Sequence, residues 1–311
     1  MTALQDLLRD DTAGDPVTGM HWTHRSLRKL CKALKRHGIR LARPTLARLL
    51  RQLGYSLRTC RKLKAGLHDA DRNRQFHYLK RLRRMFIKRG WPVISVDTKK
   101  KELVGDFKNS GLCWRTESRA VLDHDFPTWA KSRAIPVGVY DLVANDGLVV
   151  VGMSHETPTF VASAIRRWWL KVGRRRYRGR RRLLIEADSG GANDHRKWEW
   201  KLALQALADE FGLTITMTHF PAGASKWNPI DHRMFSLISA NWASEPLDSY
   251  ETILKHIRTT RSATGFHCRA FLDRRDYPPQ RRIEEEERQT ICLKRHRVLP
   301  KWNYTITPHK G

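Results

Sequence analysis

The chain has 311 residues, 40% of them hydrophobic, with a formal net charge of +29 and a pI near 10.6. That apolar share supports a core, but no apolar run approaches the roughly 18 residues of a membrane span, and the acidic opening MTALQDLLRDDTAGD lacks a signal-peptide core. So cationic a surface calls for a polyanionic partner, nucleic acid first, while five scattered cysteines (31, 60, 113, 268 and 292) without a C-x-x-C pair exclude zinc-finger and disulfide frameworks and suit a reducing cytoplasm.

Residues 1–20 form an acidic segment of net charge −3, whereas residues 21–90 carry +20, so a boundary falls near residue 20. Two short helical patterns follow. In THRSLRKLCKALKRHG, Thr23 is a candidate N-cap, Leu27, Leu30, Cys31 and Leu34 share a face, and Gly38 stops the helix. In RPTLARLLRQLGYS, Pro44 suits the first turn, Leu46, Leu49, Leu50 and Leu53 face inward, and Gly54 stops it. Two short helices with a basic outer face suggest a helix-turn-helix over residues 21–68, with Arg40, Arg43, Arg48 and Arg51 as candidate DNA contacts; an ordinary αα-hairpin has the same pattern. Residues 69–90 read as a helix linking this small all-α domain to the larger domain at 91–311, with Phe76, Leu79, Leu82 and Phe86 as its apolar stripe.

From residue 93 the pattern becomes strand-like. VISVDT is β-branched and apolar up to Asp97; IPVGVYDL (135–142) and GLVVVGMSH (147–155) flank an Asn145-Asp146-Gly147 turn and read as an antiparallel hairpin. A helix is expected over 159–173, a strand over 182–188 ending in Asp188, a helix over 197–212, a strand over 213–220, and a helix over 228–242 with Pro229 in its first turn. This order describes a mixed α/β sheet with helices on its faces.

Two core strands thus end alike, VISVD at Asp97 and LLIEAD at Asp188, and Asp231 opens the helix after the next strand. Singly, each acid also reads as a turn or helix-start residue. Three carboxylates at one sheet edge would repel unless divalent cations bound between them. Hard oxygen donors suit Mg²⁺ or Mn²⁺, and two such ions about 4 Å apart support phosphodiester chemistry. Basic residues flank these elements. Lys99, Lys100 and Lys101 follow Asp97 directly, and KVGRRRYRGRRR (171–182) holds eight basic residues in twelve, among them Arg174, Arg175, Arg176, Arg178 and Arg180. With Tyr177 interleaved, that run reads as a DNA backbone track or a solvated loop. Lys226 is a further candidate contact, and Trp227 beside it suits either base stacking or core packing. His195, His219 and His232 lie near these elements, and EEEE (284–287) reads as a solvated helix start.

The stretches PVISVDTKKKELVGDFKNSG, AIPVGVYDL, RRLLIEADSGGAND and HFPAGASKWNPIDHR, with shorter matches such as DRNRQF, HDFP and WNYTI, resemble the insertion-sequence DDE transposases of the ISAzo type, the Rhodopirellula transposase DDE domain. The likeness runs from about residue 14 to 307. It implies an RNase H-like catalytic fold, divalent metal, hydrolysis at the element's ends and strand transfer into target DNA, with Asp97, Asp188 and Asp231 as the acids. It further implies terminal inverted repeats as DNA partner, a homo-oligomer on the DNA ends and a nucleoid location in the bacterial cytoplasm. The family's third acid is usually Glu, one methylene longer than Asp231, and its members usually carry further helical sequence upstream, so a shortened copy is expected. The alternatives are a stand-alone RNase H-like nuclease and a catalytically inactive DNA-binding remnant.

Overall fold

The computed structural model describes residues 26–57, 71–221, 223–224, 227–279 and 282–309, with Leu4 and the paired dipeptides Ala13–Gly14 and His21–Trp22. Packing divides the chain into two units, Met1–Leu67 and His68–Gly311.

In the first unit, α1 (Leu27–Arg36) and α2 (Arg43–Gln52) pack through Leu30, Leu34 and Leu46, all buried. Ser26, not Thr23, caps α1: its hydroxyl accepts the Lys29 backbone N–H at 3.3 Å. Thr23 lies outside the described residues. Pro44 sits in the first turn of α2, where its missing N–H has no intrahelical partner to lose.

The second unit begins with α3 (Asp71–Lys88), which packs on this unit's own sheet: Leu82 and Phe86 meet Val93 and Leu184. Strands β1 (Val93–Thr98), β2 (Glu102–Val104), β3 (Ser132–Asp141) and β4 (Asp146–Gly152) precede α4 (Pro158–Trp168). There follow β5 (Arg182–Ala187), α5 (Trp198–Phe211), β6 (Thr214–His219), α6 (Ser236–Asn241), α7 (Tyr250–Thr259), β7 (His267–Asp273), α8 (Glu285–Gln289), β8 (Leu293–Arg295) and β9 (Asn303–Ile306). The sheet order is β8-β9-β6-β5-β1-β3-β4-β7, with β2 beside β3. Strands β4, β3 and β1 are successively antiparallel, and β1, β5 and β6 run parallel. This five-stranded centre is RNase H-like, and helices cover both sheet faces.

Alternation assigns each strand residue to a layer. Ile94, Val96, Ile185 and Ala187 face α4 and α5, packing with Phe160, Ile165, Trp200 and Leu204. The opposite face receives α3, α6 and α7, with Met234, Phe235, Ile253 and Ile257 against Tyr140 and Val149. Because both faces are covered, the strands read as continuous apolar runs.

Two helices differ from the sequence expectation. The helix over 159–173 is α-helical only to Trp168, then passes through a π-helical turn, Trp169–Gly173. The helix over 228–242 starts at Pro229 and runs through a π-helical turn at Asp231–Phe235 before α6. The capped start at Glu284 carries a capping box with Glu287. Strand β7, helix α7 and the edge strands β8 and β9 extend the sheet beyond the elements the sequence suggested.

Candidate active site

Strands β1 and β5 are parallel neighbours with Val96 opposite Ala187. The residues that follow, Asp97 and Asp188, therefore leave adjacent strands side by side at the carboxyl edge. Both belong to the set facing α3 and α6. Asp97 pairs across the antiparallel ladder with Gly138. A Cβ at Gly138 would overlap the Met234 methyl and the Phe235 ring, so glycine lets the Asp231–Phe235 turn seat directly on β3. That seating brings Asp231 to the same edge.

One buried residue ties the three acids. Asn228, fully buried, donates from Nδ2 to Asp97 Oδ2 and to Asp188 Oδ1, each at 3.2 Å. Its Oδ1 accepts the Ser95 hydroxyl at 2.6 Å, and its backbone carbonyl accepts the Asp231 N–H at 3.2 Å. Asp97 Oδ1 also accepts the Thr98 N–H at 2.8 Å. The carboxylates still repel. Burial, then the charge of Asp188, then those of Asp231 and Glu156 push Asp97 up to about 8. Burial and Asp231 push Asp188 up to about 6, against the Asn228 hydrogen bond. Asp231 is raised by burial, with His232 opposing.

The cleft over this edge has a volume of 460 Å³ and is lined by Asp97, Thr98, the three lysines, Glu156, Asp188, Gly190 and Gly191. Glu156, just before the Thr157 cap of α4, went unnoticed in the sequence because nothing in its spacing marks it. Its Oε2 lies 3.0 Å from Lys101 Nζ. Gly191, at φ +66°, leaves room for it: a Cβ there would sit 3.1 Å from Glu156 Oε1. As donors, Asp97 and Asp188 fit a hard divalent cation, since each carboxylate oxygen keeps lone-pair capacity beyond its hydrogen bonds. Asp231 acts on them through its field, yet among the described residues no three His, Cys, Asp or Glu side chains converge on one ion position.

The family described as Rhodopirellula transposase DDE domain matches residues 3–308, nearly the whole chain. The chain belongs to this family. Among solved structures, it is similar to "Mos1 transposase paired-end complex with left transposon end", at 14% identity, covering 82% of this chain and 68% of that one with a TM-score of 0.45. It is also similar to "Crystal structure of the Mos1 mariner paired end complex with Mn", at 17% identity, 82% and 69% coverage and a TM-score of 0.42. No curated protein matches the sequence at a significant level. Membership in a DDE family makes the chain a transposase, a polynucleotidyl-transfer enzyme of a class that uses divalent metal.

The other candidate residues of the transposase divide sharply. Lys99 is committed to Glu102 at 2.7 Å and lies 4.4 Å from the Trp242 ring centroid; Lys101 is paired to Glu156; Lys100 is exposed. Arg174, Arg175, Arg176, Arg178 and Arg180 are all exposed, but the Arg176 guanidinium is committed to two carboxylates. It bridges the buried Asp141 (3.1 Å) and Asp146 (2.6 Å), anchoring the β3–β4 hairpin. Tyr177, by contrast, is buried, its hydroxyl donating to Asp141 at 2.8 Å, so it offers no ring to DNA. Both residues are tied to a carboxylate pair that one-dimensional sequence does not place beside them. Arg40, Arg43, Arg48 and Arg51 are exposed on the first unit. Lys226 lies outside the described residues. Trp227 is half exposed, with the Arg72 guanidinium 4.8 Å from its ring centroid and the Phe76 ring beside it.

Of the three histidines, His219 has a buried, hydrogen-bonded place. His219 is fully buried between the Asp188 carbonyl and the Tyr304 hydroxyl, each 3.2 Å away, and burial holds it down at about 3. His195 lies 3.4 Å from Asp194. His232 is exposed beside Asp231. Gln75 of α3 donates to Thr218 Oγ1, the His219 carbonyl and Asn303 Oδ1 at 2.8–3.1 Å, which locks α3 onto β6 and β9. Among the described residues, no helix is long and apolar enough to cross a membrane.

Proposed function

We propose that Asp97, Asp188 and Asp231 are the acids with which this transposase cleaves a phosphodiester at the element's end and joins the freed 3′-hydroxyl to target DNA. The observation that carries the reading is the pair of adjacent strand-end aspartates, held on one amide nitrogen and pushed toward protonation by burial and by neighbouring carboxylate charge. Asp97 and Asp188 would hold the cations from rigid strands, and Asp231 would complete the ligand set through a shift of its π-helical turn, a form common at functional sites. Bound as a pair, Mg²⁺ or Mn²⁺ ions would activate the attacking oxygen and stabilise the leaving one. Lys100, exposed at the cleft rim, would hold a DNA phosphate, with Arg174, Arg175, Arg178 and Arg180 following the backbone further out. The helix pair of the first unit, with Arg40, Arg43, Arg48 and Arg51, would dock on the terminal inverted repeats. Joining two ends in one event calls for at least two copies of the chain on DNA, acting on the bacterial nucleoid.

The test uses the inverted repeats that flank the gene, incubated with purified full chain and Mg²⁺ or Mn²⁺. Asp97→Asn and Asp188→Asn keep shape and remove the charge that holds metal. End cleavage is expected to vanish while DNA binding in EDTA persists. Cleavage by either variant near the wild-type rate refutes the assignment, and cleavage without joining in a plasmid assay leaves a nuclease rather than a transposase.

A further inference from the structure

Asn228 belongs to none of the acids, yet it touches or anchors all three. A fully buried asparagine commonly satisfies backbone groups or caps a helix. Here both side-chain ends are spent on the cleft. The carboxylate oxygens of Asp97 and Asp188 take Nδ2 as their donor, and the Ser95 hydroxyl, itself fully buried, donates to Oδ1 at 2.6 Å and braces the amide from its other end. With that orientation set, the two N–H bonds are aimed outward, one to Asp97 Oδ2 and one to Asp188 Oδ1. Ser95 and Asp97 lie two residues apart on the same face of β1, so one strand supplies both the bracing hydroxyl and a clamped carboxylate. The Asn228 carbonyl receives the Asp231 N–H, and Pro229 follows immediately, so the start of the π-helical turn is hung from the same residue.

We propose that Asn228 is the positioning residue of the metal site: its amide, braced by Ser95, sets the separation and rotation of the Asp97 and Asp188 carboxylates before cations bind, and its backbone holds Asp231 in reach. Two neighbouring carboxylates left to themselves rotate apart under mutual repulsion. A neutral amide with two hydrogens can hold both without adding a charge that a divalent cation would have to displace. A lysine in the same place would hold them more strongly and compete with the metal; a leucine would fill the space and hold neither. The proposal rests on the reading of Asp97 and Asp188 as metal ligands, and its test separates the two.

The measurement is Mn²⁺ binding to the full chain without DNA, followed by the electron paramagnetic resonance of free Mn²⁺, beside thermal unfolding and DNA binding, both in EDTA. Asn228→Leu keeps the volume and removes both donors; Mn²⁺ affinity should fall at least tenfold, while DNA affinity in EDTA stays within twofold. Ser95→Ala leaves the amide in place but removes the hydrogen bond that braces it, and should weaken Mn²⁺ about threefold. Wild-type Mn²⁺ affinity in both variants overturns the proposal. If Asn228→Leu does not fold, Ser95→Ala decides alone, and an unchanged affinity there overturns it. If the wild-type chain binds no Mn²⁺ while Asp97→Asn behaves identically, the metal-site reading itself fails and Asn228 loses this role with it.

Discussion

Replacing Arg83 with alanine isolates the bond by which α3 holds the strand that carries Asp188. Arg83 Nε donates to Glu186 Oε1 at 2.8 Å and Nη2 reaches the second oxygen, while the Glu186 carboxylate is fully buried and the arginine side chain is 29% exposed. Glu186 is already raised by burial, and Arg83 is the cation that opposes this. Truncation strands a buried carboxylate, a change that costs about 3–5 kcal/mol against the ~5–15 kcal/mol total stability of typical domains. The carboxyl can escape by taking a proton. A folded-state value raised above the unfolded ~4.3 means that the protonated form is tolerated at low pH and stability is lost as pH rises through that interval, by about 1.4 kcal/mol per unit. The loss should therefore be smaller at pH 5 than at pH 8. Urea unfolding at the two pH values, followed by tryptophan fluorescence and circular dichroism, reads it. Arg83→Met with Glu186→Leu should recover most of the stability, because an apolar pair of similar volume leaves no charge behind. A loss below about 1 kcal/mol at pH 8, or one that does not change with pH, refutes the reasoning.

Replacing Arg174, Arg175 and Arg178 with alanine should flatten the salt dependence of duplex binding by about 0.9 in log–log slope for each phosphate no longer neutralised. Arg176→Ala should instead lower the melting temperature, because the buried Asp141 and Asp146 lose a cationic partner; an unchanged slope in the triple variant removes that run from the DNA path. Metal binding should tighten from pH 6 to 8 and then level off, because a cation must displace the proton that Asp97 holds up to about 8, whereas Asp188, at about 6, is mostly ionised by then. Calorimetry in buffers of different ionisation enthalpy should register proton release near pH 7, and its absence refutes the coupling. The same shifts make the metal-free fold less stable as pH rises between the unfolded aspartate value of ~3.9 and about 8. Finally, Asp231 is one methylene shorter than glutamate, and Mg²⁺ demands near-ideal geometry at about 2.0–2.1 Å. Wild-type cleavage should thus favour Mn²⁺, Asp231→Glu should raise activity in Mg²⁺, and Asp231→Ala should abolish it in both; full activity of the alanine variant excludes Asp231.

Much of the centre was legible because it obeys local rules. VISVD and LLIEAD are short apolar runs too brief for helices, and each ends in an acid, so the strands and the two aspartates could be read from composition and position. The stops at Gly38, Gly54 and Gly212 follow from the left-handed backbone that glycine alone adopts freely, with φ of +77°, +83° and +60°. The electrostatic character of the chain, too, is a plain sum of side chains.

Pairings distant in sequence were decided only by the tertiary structure. Arg174, Arg175 and Arg176 are identical letters in one run, but only the third meets the β3–β4 hairpin, some thirty residues earlier, and pairs with its buried carboxylates. Asn228 reads as an ordinary residue before a proline until folding sets it 131 positions from Asp97 in sequence and 3.2 Å away in space. Glu156 and Gly191 become neighbours in the same way. The π-helical turn that presents Asp231 arises where the chain settles onto Gly138, a fit of side-chain shape with no periodic trace. Periodicity and turn chemistry act over a few residues and so survive in one dimension; the pairing of charges, amides and close backbone approaches acts through space and exists only once the sheet has assembled.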